Sequence, residues 1–545
     1  MWPRPRSPVG RPSRVVPAVV VTAAVVAVAV AVGLTVAVIS SSSSRTAGGQ
    51  SAAGRSAPGR SPAGRSPAGR SAVAAPRSGG RAAGQRPNIV FVLTDDLSMD
   101  LIPYMPAVQA LQARGLTFDN YFVSDSLCCP SRSSIFTGNF PHDTGVFTNS
   151  GPGGGIRAFY GHGDENDTFN VALQRAGYRT AMMGKYLNGY LEGPRRSPVP
   201  STYVPPGWSE WDVAGWGYNE FDYRLNENGV LHHFGHSPHD YLTSVLARRG
   251  VRFIDSSAAS GQPFFLELAT FAPHSPYTPA PRDAHDFPGL QAPRPPNFDV
   301  LPTNAPQWLE GRGPLTDRQL RRVDRAFRRR AQAVQSVDRM ITTIEAALAR
   351  HNLTGDTDIV FSSDNGLHTG EYRLMPGKLT AFDTDIHVPL VIAGPGIPAD
   401  AVSDAMTENV DLAKTFAAWG GTTLPSDGHS LLPLLDGDTP AGWRNAVLVE
   451  HHGPDVSDDD PDRQTDFSGN PTSYEAMRTP RFLYVEYADG EREFYDLATD
   501  PYELDNIAPA LTSDQLTGLH AELARLEACH GGRACWAAGH VASRP

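Results

Sequence analysis

The chain has 545 residues, 40% hydrophobic and 19% charged, with a formal net charge of −11. That length exceeds what one hydrophobic core serves, so two or more units are expected. Residues 1–87 hold twelve arginines and no acid, which leaves −23 on the other 458 residues; a body this acidic repels phosphate backbones and excludes a general nucleic-acid binder.

Residues 1–14 are a basic segment with Arg4, Arg6, Arg11 and Arg14, and Val15 to Ile39 follows as 25 residues without a charge. The run is longer than the core of a cleavable signal, about 7 to 15 apolar residues, and long enough to cross a bilayer, which takes about 20. It reads as a transmembrane signal-anchor, with a cleaved export signal as the alternative. The arginines before it hold that end inside, so the body is expected on the outer face of the membrane, or secreted if the segment is cut. Residues 40–86 are Ser, Ala, Gly, Pro and Arg with the near-repeat SAPGRSPAGRSPAGRSA. They lack the apolar surface that would order them and read as a disordered linker.

From Pro87 the texture is that of a folded body. NIVFVLTDD is a β-rich apolar run, typical of a strand buried on both faces. MPAVQALQARG follows as a helix, ending at Gly115. TFNVALQRAGYRTAMMGKY gives a helix capped by Thr168, a stop at Gly177 and a strand. PFFLELATFAPHSP is a further strand, RQLRRVDRAFRRRAQAVQSVDRMITTIEAALARHN a long helix, and TDIVFSSDNG a strand. Strands alternating with helices predict an α/β fold around a mostly parallel sheet. After about Gly421, RFLYVEYADGEREFYDL reads as a hairpin and SDQLTGLHAELARLEAC as an amphipathic helix, which together suggest a smaller α+β unit.

Two of these strands end alike, NIVFVLT in Asp95-Asp96 and DIVFSS in Asp364-Asn365. Ligands in open α/β sheets sit beyond the carboxyl ends of strands. Three carboxylates and an amide oxygen are hard donors that suit Ca²⁺, or Mg²⁺, better than zinc. The four cysteines divide into two pairs. Cys529 and Cys535 enclose only HGGRA, and an exported chain permits a local disulfide there. Cys128 and Cys129 stand side by side in SLCCPSRSSIFTG, where neighbouring cysteines rarely meet disulfide geometry. Either they pair elsewhere or one of them does chemistry.

Cys128, Pro130, Ser131 and Arg132, then Thr137 and Gly138, match the signature C-x-P-S-R followed by four residues and T-G. On those residues the chain resembles the type I sulfatases. GYRTAMMGKYLN, APHSP, SSDNGLHTG, GHSLLPLL and FYDLATDPYELDNIA extend the resemblance from about Pro87 to Cys535. The double Cys, GKYLN, VPPGWSEW, APHSPYTPAP and DNGLHTG look most like the N-acetylglucosamine-6-sulfatase branch. The resemblance implies an alkaline-phosphatase-like sandwich: a large mixed, mostly parallel sheet flanked by helices over 87–421, with a smaller C-terminal α+β subdomain over 422–545 built on an antiparallel sheet.

It also implies that a maturation enzyme converts Cys128 to formylglycine. The hydrated aldehyde would attack sulfur with one hydroxyl, and the other would let the adduct collapse, where a serine would stay trapped as its sulfate ester. Carried over, Asp95, Asp96, Asp364 and Asn365 hold the cation, Ca²⁺ by resemblance, with the residue-128 oxygen as a further ligand. Arg132 orients the formylglycine, Lys185 and Lys378 bind the sulfate oxygens, and His274 helps protonate the leaving alcohol. His368 and Asn188 are candidate substrate contacts. Many members carry histidine two places after the first lysine. Here Leu187 stands there, so the base for sulfate elimination is unassigned.

The implied activity is hydrolysis of a sulfate monoester on a sulfated sugar. A phosphate or phosphonate monoester hydrolase of the same superfamily and a silent glycan-binding protein are the alternatives. RRVDRAFRRR reads as a solvated helix surface, with a face for polyanions as the alternative, and the acidic body suits a monosulfated sugar end or small sulfate ester.

Overall fold

The computed structural model describes residues 86–542 except 194, 455–459, 461 and 466. The basic segment, the apolar run 15–39 and the linker up to residue 85 lie outside the described residues. Among the described residues no helix is long and apolar enough to cross a membrane.

Ten strands form one sheet. Its middle is parallel, in the spatial order Thr357–Ser363, Asn88–Thr94, Phe264–Ala269, Arg179–Lys185 and Glu210–Ala214. Antiparallel neighbours flank it, Leu390–Ala393 on one side and Tyr223–Glu227 with Val230–Phe234 on the other. In Asn88–Thr94 alternate residues feed two cores. Ile89, Phe91 and Leu93 face the layer that holds Ile135 and Phe416, while Val90 and Val92 face Leu111, Phe253 and Ile344. Burial on both faces is why this strand is apolar throughout rather than alternating.

The helix Asp317–Arg350 is anchored by Thr316 and Gln319, which cap each other's backbone. Its buried side carries Val323, Phe327, Val334, Val337, Ile341, Ile344 and Leu348, the spacing of one helical face. The helix Phe169–Arg175 starts after Thr168, as the sequence indicates, but the Thr168 hydroxyl turns back to the Glu165 carbonyl and makes no cap bond. Gly177 follows with φ +89°, the left-handed turn expected of a glycine stop.

Towards the C-terminus four antiparallel strands, Val447–His451, Tyr474–Arg478, Phe482–Tyr487 and Arg492–Asp496, make a second sheet. One of its faces packs Leu448, Met477, Tyr484 and Phe494 against Leu519, Leu523 and Leu526 of the helix Ser513–Glu527. Its other face, with Val449, Ala476 and Leu483, belongs to the same core as Ile135. The fold is thus the large, mostly parallel sheet flanked by helices with a separate small antiparallel sheet. Cys529 and Cys535 are joined in a disulfide, and Cys128 and Cys129 are free and buried.

Candidate active site

The strands Asn88–Thr94 and Thr357–Ser363 are parallel neighbours in register, Thr94 beside Ser363, so their acidic pairs emerge side by side. Asp96 takes φ 62°, a left-handed conformation that aspartate tolerates better than most residues. Its carbonyl accepts from the buried Arg330 Nη2 at 2.5 Å. Asp364 Oδ1 accepts from the backbone N–H of Asp96 at 3.1 Å and of Asn365 at 2.8 Å.

Into the same end of the sheet points the start of the helix Cys128–Thr137. Cys128 is its first residue, and Arg132 lies one turn on, fully buried. Arg132 Nε donates to Asp364 Oδ2 at 2.8 Å and Nη1 to the Lys185 carbonyl at 3.0 Å. Lys185 closes the strand Arg179–Lys185. Gly184 before it has φ +110°, and a β-carbon there would sit 1.8 Å from the Ala269 carbonyl oxygen, so only glycine lets the strand approach its neighbour.

Lys185 Nζ lies 2.6 Å from Asp95 Oδ2 and 3.2 Å from Cys128 Sγ. Lys378 Nζ lies 2.7 Å from Asp96 Oδ1 and 3.0 Å from the same Sγ. His274 Nε2 is 3.5 Å from Asp96 Oδ2 and hydrogen-bonds Asp462. Nδ1 of that ring donates to the Ser275 carbonyl at 2.7 Å, which leaves Nε2 to face the site. The Asp462 carboxylate stands among these groups, 3.4 Å from Cys128 Sγ, 3.5 Å from Lys378 Nζ and 2.6 Å from Asn149 Nδ2. Lys185, Lys378, His274 and Asn149 therefore converge on a small volume beside residue 128 that holds an anion.

The electrostatics follow from burial and these neighbours. Burial pushes Asp95 up to about 6, with Lys185 only partly offsetting it. Asp364 is also buried, yet Arg132 and the two lysines hold it down at about 2. Burial works against a charged His274, but Asp462, Asp96 and Asp95 outweigh it and raise the ring to about 9. Burial, then Asp462 and Asp95, lift the Cys128 thiol well above its usual range. A thiol held protonated is a poor nucleophile, so the unmodified sulfur is not suited to attack.

Of the residues singled out from the sequence, Asp95, Asp96, Cys128, Arg132, Lys185, His274, Lys378, Asp364 and Asn365 stand together. Asn188 lies at the edge, its backbone N–H donating to Cys129 Sγ at 3.1 Å and its buried Nδ2 without a hydrogen-bond partner. His368 is fully buried with both ring nitrogens occupied, Nδ1 by Asp385 at 3.0 Å and Nε2 by the Ser468 carbonyl at 2.9 Å. Sequence reasoning missed Asp462, Asn149 and Arg330. Arg330 had a signal, because it falls in phase with Val323, Phe327 and Val334 on the apolar side of its helix. Asp462 sits in an acid-rich loop that reads as solvated surface, and Asn149 has no pattern around it.

The acidic pairs fit a divalent cation. Ligand atoms of Asp95, Asp96, Cys128 and His274 lie within 4.8 Å of one another. Asn365 Oδ1 is buried without a hydrogen-bond partner, while its Nδ2 donates to Asp96 Oδ1 at 2.7 Å. Buried carboxylates and an orphaned amide oxygen are the donor set that hard cations favour.

Residues 87–422 match the sulfatase family, and residues 370–528 match the C-terminal region of N-sulphoglucosamine sulphohydrolase. The chain belongs to the sulfatase family and is an enzyme that hydrolyses sulfate esters. It is 35% identical to the N-acetylglucosamine-6-sulfatase of Capra hircus over 484 residues, 83% of this chain and 86% of that protein. Identity to the Homo sapiens N-acetylglucosamine-6-sulfatase is 36% over 483 residues with the same coverage. An arylsulfatase of Volvox carteri is 30% identical over 511 residues, 83% of this chain and 76% of that one. Among solved structures, a protein in complex with its substrate D-glucosamine-2-N,6-O-disulfate superposes with a TM-score of 0.68 at 24% identity, covering 81% of this chain and 97% of that one. The phosphonate monoester hydrolase of Agrobacterium radiobacter gives a TM-score of 0.60 at 22% identity, covering 81% and 96%. At those identities the two structures share the fold.

Proposed function

We propose that this sulfatase removes the 6-sulfate from an N-acetylglucosamine-type sugar by covalent catalysis at a formylglycine derived from Cys128, assisted by a divalent cation, Ca²⁺ by the hardness of its ligands with Mg²⁺ as the second choice. The observation that carries the reading is the convergence of Lys185, Lys378 and His274 on one anion position beside residue 128. The sugar assignment is supported by the 35% and 36% identity to the goat and human N-acetylglucosamine-6-sulfatases across most of both chains.

Asp95, Asp96, Asp364 and Asn365 would hold the cation, which when bound supplies charge that acidifies a hydroxyl on residue 128. Cys128 Sγ marks where an oxygen of the hydrated aldehyde would lie. Lys185 and Lys378 hold fixed positive charge at the sulfate oxygens, a preorganised counter-charge for the transition state. His274, held protonated to about 9 by its carboxylate neighbours, keeps a proton at Nε2 for the leaving alcohol. Arg132 holds Asp364 through a buried hydrogen bond and would orient residue 128 from one helical turn on. Asn188, which lines a pocket together with Asn149, is a candidate sugar contact, and His368 supports the loop that carries Lys378. Export, with residues 15–39 as anchor or cleaved signal, and modification by a maturation enzyme complete the reading; both rest on the sequence of those segments.

The test is the mass of the tryptic peptide Gly115 to Arg132 from protein made in a host with an active maturation system, paired with sulfate release from N-acetylglucosamine 6-sulfate. An aldehyde at residue 128 and turnover lost in Cys128→Ala are expected. Intact thiols in protein that still turns over would overturn the mechanism.

A further inference from the structure

Among the described residues a second cluster of ligating side chains lies away from Cys128, where the disulfide-closed loop meets the short helix Pro141–Thr144. His142, Asp143 and His530 each place a ligand atom within 4.8 Å of the other two. His142 and Asp143 are neighbours on that helix, and His530 sits in the tight loop that Cys529 and Cys535 close. Asp143 and His530 are exposed and already touch, Oδ1 to Nδ1 at 2.5 Å, so an ion can reach them from solvent. His142 is half-buried, and its Nε2 lies 2.8 Å from the Cys529 carbonyl oxygen.

The groups behind these ligands hold them in place. His142 Nδ1 faces the buried Glu450 carboxylate, at 2.9 Å and 3.0 Å from its two oxygens. A carboxylate on the far nitrogen is the outer partner that fixes the ring of a metal-bound histidine. The buried Asp427 clamps both segments. Its Oδ2 accepts from the Phe140 N–H at 2.9 Å and its Oδ1 from the Gly531 N–H at 2.7 Å. Burial, and the Asp143 charge working against the Phe140 N–H, push the Asp427 carboxyl up to about 6. Three carboxylates, Asp143, Asp427 and Glu450, thus surround two imidazoles. A divalent ion brings two positive charges to a place where a proton on His142 brings one.

We infer that this cluster is a structural zinc site, with His142 Nε2, His530, Asp143 and the Cys529 carbonyl oxygen as ligands, which ties the C-terminal disulfide loop to the segment after the helix Cys128–Thr137. Two imidazoles with a carboxylate and a carbonyl are borderline donors that suit Zn²⁺, whereas the oxygen-rich set at Asp95 and Asp96 suits Ca²⁺. The ion takes the place of the proton that Nε2 shares with the carbonyl, and that proton leaves to solvent. Tetrahedral zinc spaces its ligands by about 3.3 Å, so the exposed Asp143 and His530 side chains close in by up to about 1.5 Å. The staple is connected to the reacting end of the molecule. Glu450, behind His142, donates its backbone N–H to the Ser124 carbonyl at 2.8 Å, four residues before Cys128.

The experiment titrates Zn²⁺ into the full chain by calorimetry in excess Ca²⁺, and repeats it on His530→Ala and Asp143→Asn, two changes at exposed side chains. The wild type is expected to bind one Zn²⁺ at this site with a Kd of about 1 μM or below, with release of a proton. Each variant should bind it about tenfold or more weakly. Zn²⁺ should raise the thermal midpoint of the wild type and leave that of His530→Ala where it was. Asp96→Asn, which removes a ligand of the catalytic cluster, should keep the Zn²⁺ affinity of the wild type. So should His233→Ala, which breaks the exposed histidines beside Asp222. No Zn²⁺ binding by the wild type, or unchanged affinity in His530→Ala, would overturn the proposal. Loss of binding in Asp96→Asn or His233→Ala instead would place the ion elsewhere and overturn it equally.

Discussion

The two central strands end in acidic pairs that look alike in sequence and are held in different ways. Asp364 is pinned by Arg132 and two backbone N–H groups and stays ionised down to about 2. Asp95, one strand away, has Lys185 as its near cation and is pushed up to about 6 by burial. The Asp364 carboxylate is part of the scaffold, because Arg132 would otherwise be a buried cation without a full partner. Asp95 is charged against its surroundings, the condition in which an added cation gains most. Neighbours, more than residue type, decide which acid builds the site and which waits for a ligand.

The largest effect should come from breaking the pinned pair. Asp364→Asn removes the charge from a fully buried bridge and is expected to destabilise the protein by about 3–5 kcal/mol. Asp95→Asn, which relieves a charge that the fold disfavours, should cost well under half as much. Denaturant melts of both variants in chelator would show it, and equal losses would dissolve the distinction.

A divalent cation should act on the two pairs unequally. Saturating Ca²⁺ is expected to stabilise the wild-type protein by about 2–3 kcal/mol, the linkage value near a hundredfold excess over Kd. EDTA should reverse the gain. In Asp96→Asn the gain should vanish, because that carboxylate belongs to the cluster within 4.8 Å. Thermal melts with and without chelator read this directly, with no need for turnover.

The strands, the acidic pairs and the hairpin were legible because each is a local pattern: a short apolar run, a charged end, a turn between two strands. The expectation for the cysteine signature rests on one contiguous stretch. Lys185 and Lys378 gained meaning only through resemblance, since an isolated lysine carries no local mark of burial. Asp462 was illegible for a different reason. Its partners Cys128, Asn149, His274 and Lys378 are 84 to 334 residues away in sequence, and the fold alone brings them to it. Arg330 was hidden among solvated arginines, although its phase on the helix sets it apart from the exposed Arg318, Arg322, Arg325 and Arg329.

Asp462 also sharpens the comparison, because it occupies with a carboxylate the place where the substrate's anion would sit. Burial opposes its charge, but Lys378 and His274 keep its pKa well below the usual carboxylate range. Asp462→Asn should remove that competition. Inorganic sulfate is expected to bind the variant about tenfold more tightly, about 1.4 kcal/mol, in calorimetry on Cys128→Ala protein. Unchanged affinity would mean that the aspartate does not compete for the anion position.

The smallest effect concerns what lies beneath each pair. Asp96 rests on the guanidinium of Arg330, whereas the loop after Asn365 rests on the imidazole of His368. Burial disfavours the charged imidazole, but Asp385 outweighs it and raises the His368 pKa above 6.5. A raised folded pKa contributes stability that is complete below about 6.5 and is lost as pH rises through the higher folded value. The loop carrying Lys378 should therefore loosen on the alkaline side, by about 1–2 kcal/mol in local opening. Hydrogen exchange of residues 366–378 against pH would register it. In His368→Gln the amide keeps one hydrogen bond to Asp385 but cannot become charged, so exchange there should be faster at low pH and nearly flat with pH. A wild-type loop that is equally flat would assign its support to packing rather than to the imidazolium.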